Sequence, residues 1–101
     1  MSGIIYLPAA SKELQATIDW LADHASKGHA NHLASVIESA LFEIAEVPLA
    51  WPVSRLSSRV RARPLRAIHH TVFYLVEPVQ VVVVAISHMK RRPGYWLDRV
   101  E

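Results

Sequence analysis

Val79–Ser87 (VQVVVVAIS) constrains this chain more than any other stretch, because it reads as a strand with two apolar faces. Side chains alternate across a strand, so Val79, Val81, Val83 and Ala85 are expected on one face and Val82, Val84 and Ile86 on the other. Both faces then need a cover, since a bare Val-rich strand invites edge pairing and aggregation. Thr71–Val76 precedes it across a Glu77-Pro78 break and is equally rich in β-branched and aromatic residues. Such side chains suit a pleated, half-buried surface, so the two runs read as a hairpin. Pro78 presets φ and has no N–H to give a ladder, which places it in the connection.

The first half of the chain supplies one cover. Gly3–Leu7 is a short β run, ended by Pro8, which can occupy the first turn of a helix. From Ala9 to about Ser26, Leu14, Ile18, Leu21 and Ala25 recur at helical spacing, and Gly28 offers a left-handed stop. In a second helix Leu33, Val36, Ile37, Ala40, Leu41 and Ile44 form one broad stripe, closed by Pro48. A helical hairpin over one face of a sheet follows. Trp20 and Phe42 lie off these stripes, as contacts between elements or as exposed anchors. Pro48–Ser58 is expected to be a loop pinned by Trp51. Val60–Ile68 is expected to be a further strand, with Pro64 marking an edge or a bulge. The second cover is either the C-terminal segment Pro93–Val100 or another protein. The expected architecture is α+β in a single domain, residues 1–101: an N-terminal strand, a helical hairpin, then a three-stranded antiparallel sheet packed on the helices.

Charge divides the chain. Residues 1–50 carry a balance of −4 and residues 51–101 a balance of +6, with every arginine in the second half. Arginine favours planar, bidentate contact with phosphate or carboxylate, so the second half is the candidate for an anionic partner. The chain has no cysteine, which excludes disulfides and thiolate metal sites and fits a reducing cytoplasm. No signal-like N-terminus is visible, and the longest apolar run, Val81–Ile86, is far short of the ~20 residues that span a bilayer. A cytoplasmic protein without membrane contact is expected.

His24, His29 and His32 cluster near the turn between the helices, but only Asp23 accompanies them, so no metal is expected. His69 and His70 open the first hairpin strand and are expected to face opposite ways. The richer set is Arg61, Arg63 and Arg66 before the hairpin and His88, Lys90, Arg91, Arg92, Tyr95 and Trp96 after it. Metal-free RNA cleavage needs a base, an acid and cations for the developing charge, and His88, Arg91 and Tyr95 could fill those roles. The same residues could equally grip an anion without catalysis, and that simpler grip is the reading carried forward. No cofactor is implied.

Three segments, IIYLPAASKEL, LRAIHHTVFYLVE and VVVVAISHMKRRPGYWLDR, resemble the RelE/ParE superfamily of bacterial toxins from type II toxin–antitoxin operons. The specific portion is the closing His-x-x-Arg-Arg-Pro-x-Tyr-Trp, spanning His88 to Trp96. Members similar to ParE are implied to poison DNA gyrase; members similar to RelE cut mRNA on the ribosome. RNA-cutting members carry an Arg three residues before a Tyr of the third strand. Here Thr71 stands at that distance from Tyr74, with His70 beside it, and the closing motif looks more like the ParE branch. The resemblance therefore implies a plasmid-stabilisation type of toxin that arrests growth through gyrase. Its partner is a cognate antitoxin bound over Trp20, Val82, Val84 and Ile86, and operator DNA is met only through that antitoxin. The alternatives are an mRNA endonuclease and a non-toxic antitoxin-binding module.

Overall fold

The computed structural model describes residues 3–101. β1 (Gly3–Tyr6) leads into α1 (Pro8–His24) and α2 (Lys27–Glu46). Then come β2 (Val53–Ser54), β3 (Ser57–Leu65), β4 (His70–Val76) and β5 (Gln80–His88), with 3-10 turns at Arg66–Ile68 and Leu97–Arg99. Pro8 stands in the first turn of α1, where its missing N–H costs nothing. The break between the helices falls before Gly28, not at it. Ser26 caps α2 by accepting the His29 N–H at 3.0 Å, and Gly28 lies inside the first turn of α2.

The sheet has five strands in the order β1-β5-β4-β3-β2, with β1 parallel to β5 and the rest antiparallel. The sequence points to only three strands after the helices. The extra pairings are β1 along the far edge of β5 and two residues of the Pro48–Ser58 loop recruited by β3. Pro64 sits where its lack of a donor is harmless. The Ala62 N–H points to β2 and bonds the Pro52 carbonyl at 3.1 Å. Pro64, two residues on, faces the same side beyond the end of β2.

The helices close one face of the sheet. Leu33, Ile37, Ala40, Leu41 and Ile44 of α2 pack with Leu65, Val72, Tyr74, Val81, Val83 and Ile86, while Leu14, Ile18 and Leu21 of α1 lie against them. Trp51 adds a partly buried ring to this core and pins its loop, as expected.

The opposite face is covered from within. Val60, Val84 and Ala85 pack with Trp96, and Phe73, Leu75, Tyr95, Leu97 and Val100 surround them. Of the two covers the sequence leaves open, the C-terminal segment is the one present. The strict alternation expected of β5 does not hold through its length. Phe73 pairs with Ala85 and Tyr74 with Val83, leaving Val84 as the extra residue of a β-bulge. Ala85 therefore joins Val84 on the Trp96 side and Ile86 turns to the helices. Val82, Val84 and Ile86 are all buried within the chain, so none is open to an antitoxin, contrary to the expectation from sequence. No helix among the described residues is long and apolar enough to cross a membrane.

Candidate functional site

The basic residues do not converge on one grip: two groups are held by different partners, and Arg66, Lys90 and Arg92 are exposed outside them. In the first, Arg61 Nη1 donates to the Trp51 carbonyl at 2.6 Å, and the Arg63 guanidinium lies over the Trp51 ring, 4.6 Å from its centre. Arg63 also meets Glu43 of α2 at 3.3 Å. These two arginines fasten the Trp51 loop and α2 to β3. Arg66, in the 3-10 turn before β4, is exposed.

The second group surrounds Glu13 of α1. Arg99 donates to its Oε1 at 2.8 Å and its Oε2 at 3.2 Å, Tyr95 Oη donates at 2.5 Å, and Arg91 approaches at 3.5 Å. The backbone N–H of Ile86 completes the set at 3.3 Å, and Arg99 also reaches the Val84 carbonyl at 3.0 Å. Arg91 stacks on the Tyr95 ring at 3.9 Å. One carboxylate thus ties α1, the bulge of β5 and the tail together. Burial, reinforced by the hydrogen bond to Glu13, raises the Tyr95 pKa, and the bond to Glu13 raises that of Arg99. Sequence reasoning misses Glu13: its partners lie more than 70 residues away, and a single Glu on a helix carries no signal of them.

Other expected site residues take different places. Trp96 is 1% exposed and packs on Phe73 at 4.6 Å between ring centres. It is a core residue and cannot be a target contact, which corrects the expectation from the basic-aromatic tail. Tyr74 is fully buried and donates to the Pro48 carbonyl at 2.7 Å. His88, Arg91 and Arg92 share a shallow hollow of about 200 Å³ with Thr71, Ser87 and Gly94. Lys90 is exposed beside His88, and its N–H bonds the His88 Nδ1 at 3.0 Å.

A larger groove of about 550 Å³ opens between the helices and the end of the sheet. Trp20, Leu21, Leu33 and Ile68 form its apolar floor, with His29, His32, His69, His70 and His88 around them. Trp20 is 58% exposed and stacks on His24 with ring centres 4.6 Å apart, so its ring faces outward. His69 and His70 do not oppose each other across a strand. His69 lies before β4 at φ 54°, and that left-handed turn lets both rings line one groove. His70 meets His88 edge-to-face, with ring centres 5.0 Å apart. Burial lowers the His70 pKa, against the opposing pull of its bond to the Ile68 carbonyl. Among the described residues no three His, Cys, Asp or Glu side chains are placed to hold a metal ion.

The model of the ParE toxin of the type II toxin–antitoxin system parDE matches residues 4–93, most of the chain. The chain belongs to the ParE toxin family. A solved structure described as the chromosomal ParDE toxin–antitoxin system from P. aeruginosa superposes with a TM-score of 0.76 at 15% identity. The match covers 87% of this chain and 96% of the other, a likeness of fold that runs through most of the chain. No curated protein matches the sequence. This ParE-type toxin therefore has the α+β architecture expected from its sequence, with a self-supplied cover on the far face of the sheet.

Proposed function

We propose that this ParE-type toxin arrests growth by inhibiting DNA gyrase and is silenced by an antitoxin segment seated in the Trp20 groove. A type II system supplies the partner, and the groove offers it an exposed indole beside an apolar floor. Non-catalytic inhibition rests above all on the state of Tyr95. Its hydroxyl is bound to Glu13 and its proton is held more tightly than usual, so it is poorly placed to trade protons with a nucleic acid. Tyr74, the third-strand tyrosine of the resemblance, is sealed in the core on the Pro48 carbonyl. The surface left for the target is the exposed cationic edge Lys90, Arg91 and Arg92, with Arg66 as a further exposed cation.

The test is a gyrase supercoiling and cleavage assay run beside a coupled translation reaction. Blocked supercoiling or trapped DNA breaks, with translation intact, supports the reading. Cut mRNA with unaffected gyrase would overturn it and point to the hollow that holds His88, Arg91 and Arg92.

A further inference from the structure

The Trp20 groove draws histidines from across the fold. His29 and His32 come from α2, His69 from the turn before β4, His70 from β4 and His88 from the end of β5. Among the described residues no carboxylate lines it. We propose that this groove is a docking surface for an apolar segment carrying carboxylates, and that its hold tightens as the rim histidines gain protons. The proposal rests on the reading above that the antitoxin occupies the groove. It adds the chemistry of the docking segment and the condition that strengthens the grip.

The apolar floor gives the segment somewhere to bury its own apolar side chains. The rim decides its charge. Imidazole is the side chain whose ordinary charge change falls between about pH 5 and 8. A carboxylate brought against an imidazolium favours the charged ring, so the ring's pKa in the complex rises above its value in the free toxin. By linkage, binding then takes up protons, is strongest below the free-toxin value and loses this contribution as the pH rises through the value in the complex.

The five histidines are not equivalent. His70 is buried, and its Nδ1–H is given to the Ile68 carbonyl at 2.6 Å. His88 accepts the Lys90 N–H on Nδ1, so charging it costs that bond. Nδ1 of His29 lies 2.6 Å from the Ser26 hydroxyl, leaving its Nε2 for an occupant. His32 and His69 are exposed, and no hydrogen bond holds their rings among the described residues. These last three carry the proposal.

The surrounding charges do not cancel it. Lys90 shares a smaller dimple of about 290 Å³ with His69 and His88, and Arg66 is exposed in the 3-10 turn that contributes Ala67 and Ile68. On α1, His24 is stacked against Trp20 with its Nδ1 3.0 Å from the Trp20 carbonyl oxygen. Asp19 is bound to Gln15 at 2.9 Å, and neither it nor Asp23 lines the groove.

The experiment titrates the full-length toxin with the purified, intact antitoxin of its own pair, by calorimetry at about pH 7.5 and about pH 5.5, the span over which imidazoles ordinarily charge. Circular dichroism confirms that both proteins are folded at each pH. The wild-type toxin should bind about fivefold tighter at the lower pH, the part of one unit of pKa rise, shared over the rim, that is expressed between the two pH values. A variant with His29→Gln, His32→Gln and His69→Asn should lose most of that gain; Asn suits the left-handed backbone at position 69. A flat wild-type response, or an equal gain in wild type and variant, would overturn the proposal. Trp20→Ala, measured at the higher pH, tests the underlying reading separately. Unchanged affinity there would remove the antitoxin from the groove, whereas a large loss with no pH response would reject only the histidine chemistry.

Discussion

The two faces of the sheet are closed by different means. On the helix side, two long amphipathic helices spread the cover over many aliphatic contacts, and no single side chain dominates. On the far side, a short tail without regular helix closes the sheet with one large ring, Trp96, held down by hydrogen bonds and ion pairs to Glu13. Apolar burial is roughly proportional to area, so a wide cover degrades gradually when trimmed. A cover built on one ring and one carboxylate depends on each of them. The cationic edge proposed to meet the target, Lys90–Arg92, lies between β5 and the tail that Trp96 and Glu13 fasten. The shape of that edge is thus an outcome of far-face packing.

The severest test is Val84→Asp. Val84 is fully buried at the bulge beneath Trp96, and an unpaired carboxylate there is strongly penalised. Loss of soluble, folded protein is expected, read as aggregation on expression. A variant that stayed soluble and melted like wild type would mean that the far face is open. Next comes Trp96→Ala, which should cost about 3–5 kcal/mol in urea unfolding, the usual range for removing a buried Trp. Ala40→Gly, on the helix side, should cost less, about 1 kcal/mol, the usual difference in helix propensity. If the two variants proved equally destabilised, the contrast between concentrated and distributed cover would fall.

This asymmetry also explains what is legible in the sequence. The α2 stripe Leu33, Val36, Ile37, Ala40, Leu41 and Ile44 is visible because helical period and burial coincide: five of the six are buried and Val36 is partly buried against the core. The hairpin is visible for the same reason, from β-branched residues around a proline break. The bulge is not, because a run of four valines offers no marker for the one that lies out of step. Trp96 is misplaced by composition because Tyr95 and Trp96 are neighbours in a basic tail, and nothing local says which ring turns inward. Glu13 and the histidine groove are invisible for a common reason. Each gathers residues far apart in the chain, and neither leaves a local spacing to read.

Glu13→Ala probes the polar half of the far-face cover. It strips the Tyr95 hydroxyl of its acceptor and leaves Arg99 only the Val84 carbonyl, and hydrogen bonds to charged groups are worth about 1.5–3 kcal/mol. The expected loss is about 2–3 kcal/mol, smaller than for Trp96→Ala, with protease cleavage of the tail rising before global unfolding. The alkaline limit should move as well. The Tyr95 pKa is raised in the folded protein, so its contribution is complete below about pH 10, the ordinary tyrosine value, and fades as the pH rises through the folded value. In wild type the melting temperature should therefore fall above that point. Tyr95→Phe should flatten this decline, and an unchanged slope would show that burial and the Glu13 bond do not hold the Tyr95 proton in solution.

The helix side carries the opposite sign at the acid end. The His70 pKa is lowered by burial, so its contribution is complete above the ordinary imidazole value of about 6.5 and is lost as the pH falls through the folded value. Acidification should lower the melting temperature of the free toxin slightly, and His70→Gln should blunt that dependence. Dependence unaltered in the variant would place the acid-sensitive group elsewhere.

The smallest effect on stability is expected where the effect on function is largest. Arg91 meets Glu13 at 3.5 Å with its side chain 54% exposed, and Arg92 is exposed beside it. Exposed ion pairs contribute about 0–1 kcal/mol, so Arg91→Ala with Arg92→Ala should leave the melting temperature nearly unchanged. Growth arrest on expression should nevertheless disappear, because the cations proposed to meet the target are gone while Trp96, Arg99 and Glu13 still hold the tail. Full toxicity in this double variant would remove the cationic edge from the mechanism. A large drop in stability would instead mean that Arg91 is structural, a fourth fastening of the far-face cover alongside Trp96, Tyr95 and Arg99. Growth and melting measured on the same variant thus separate the surface that acts from the packing that shapes it.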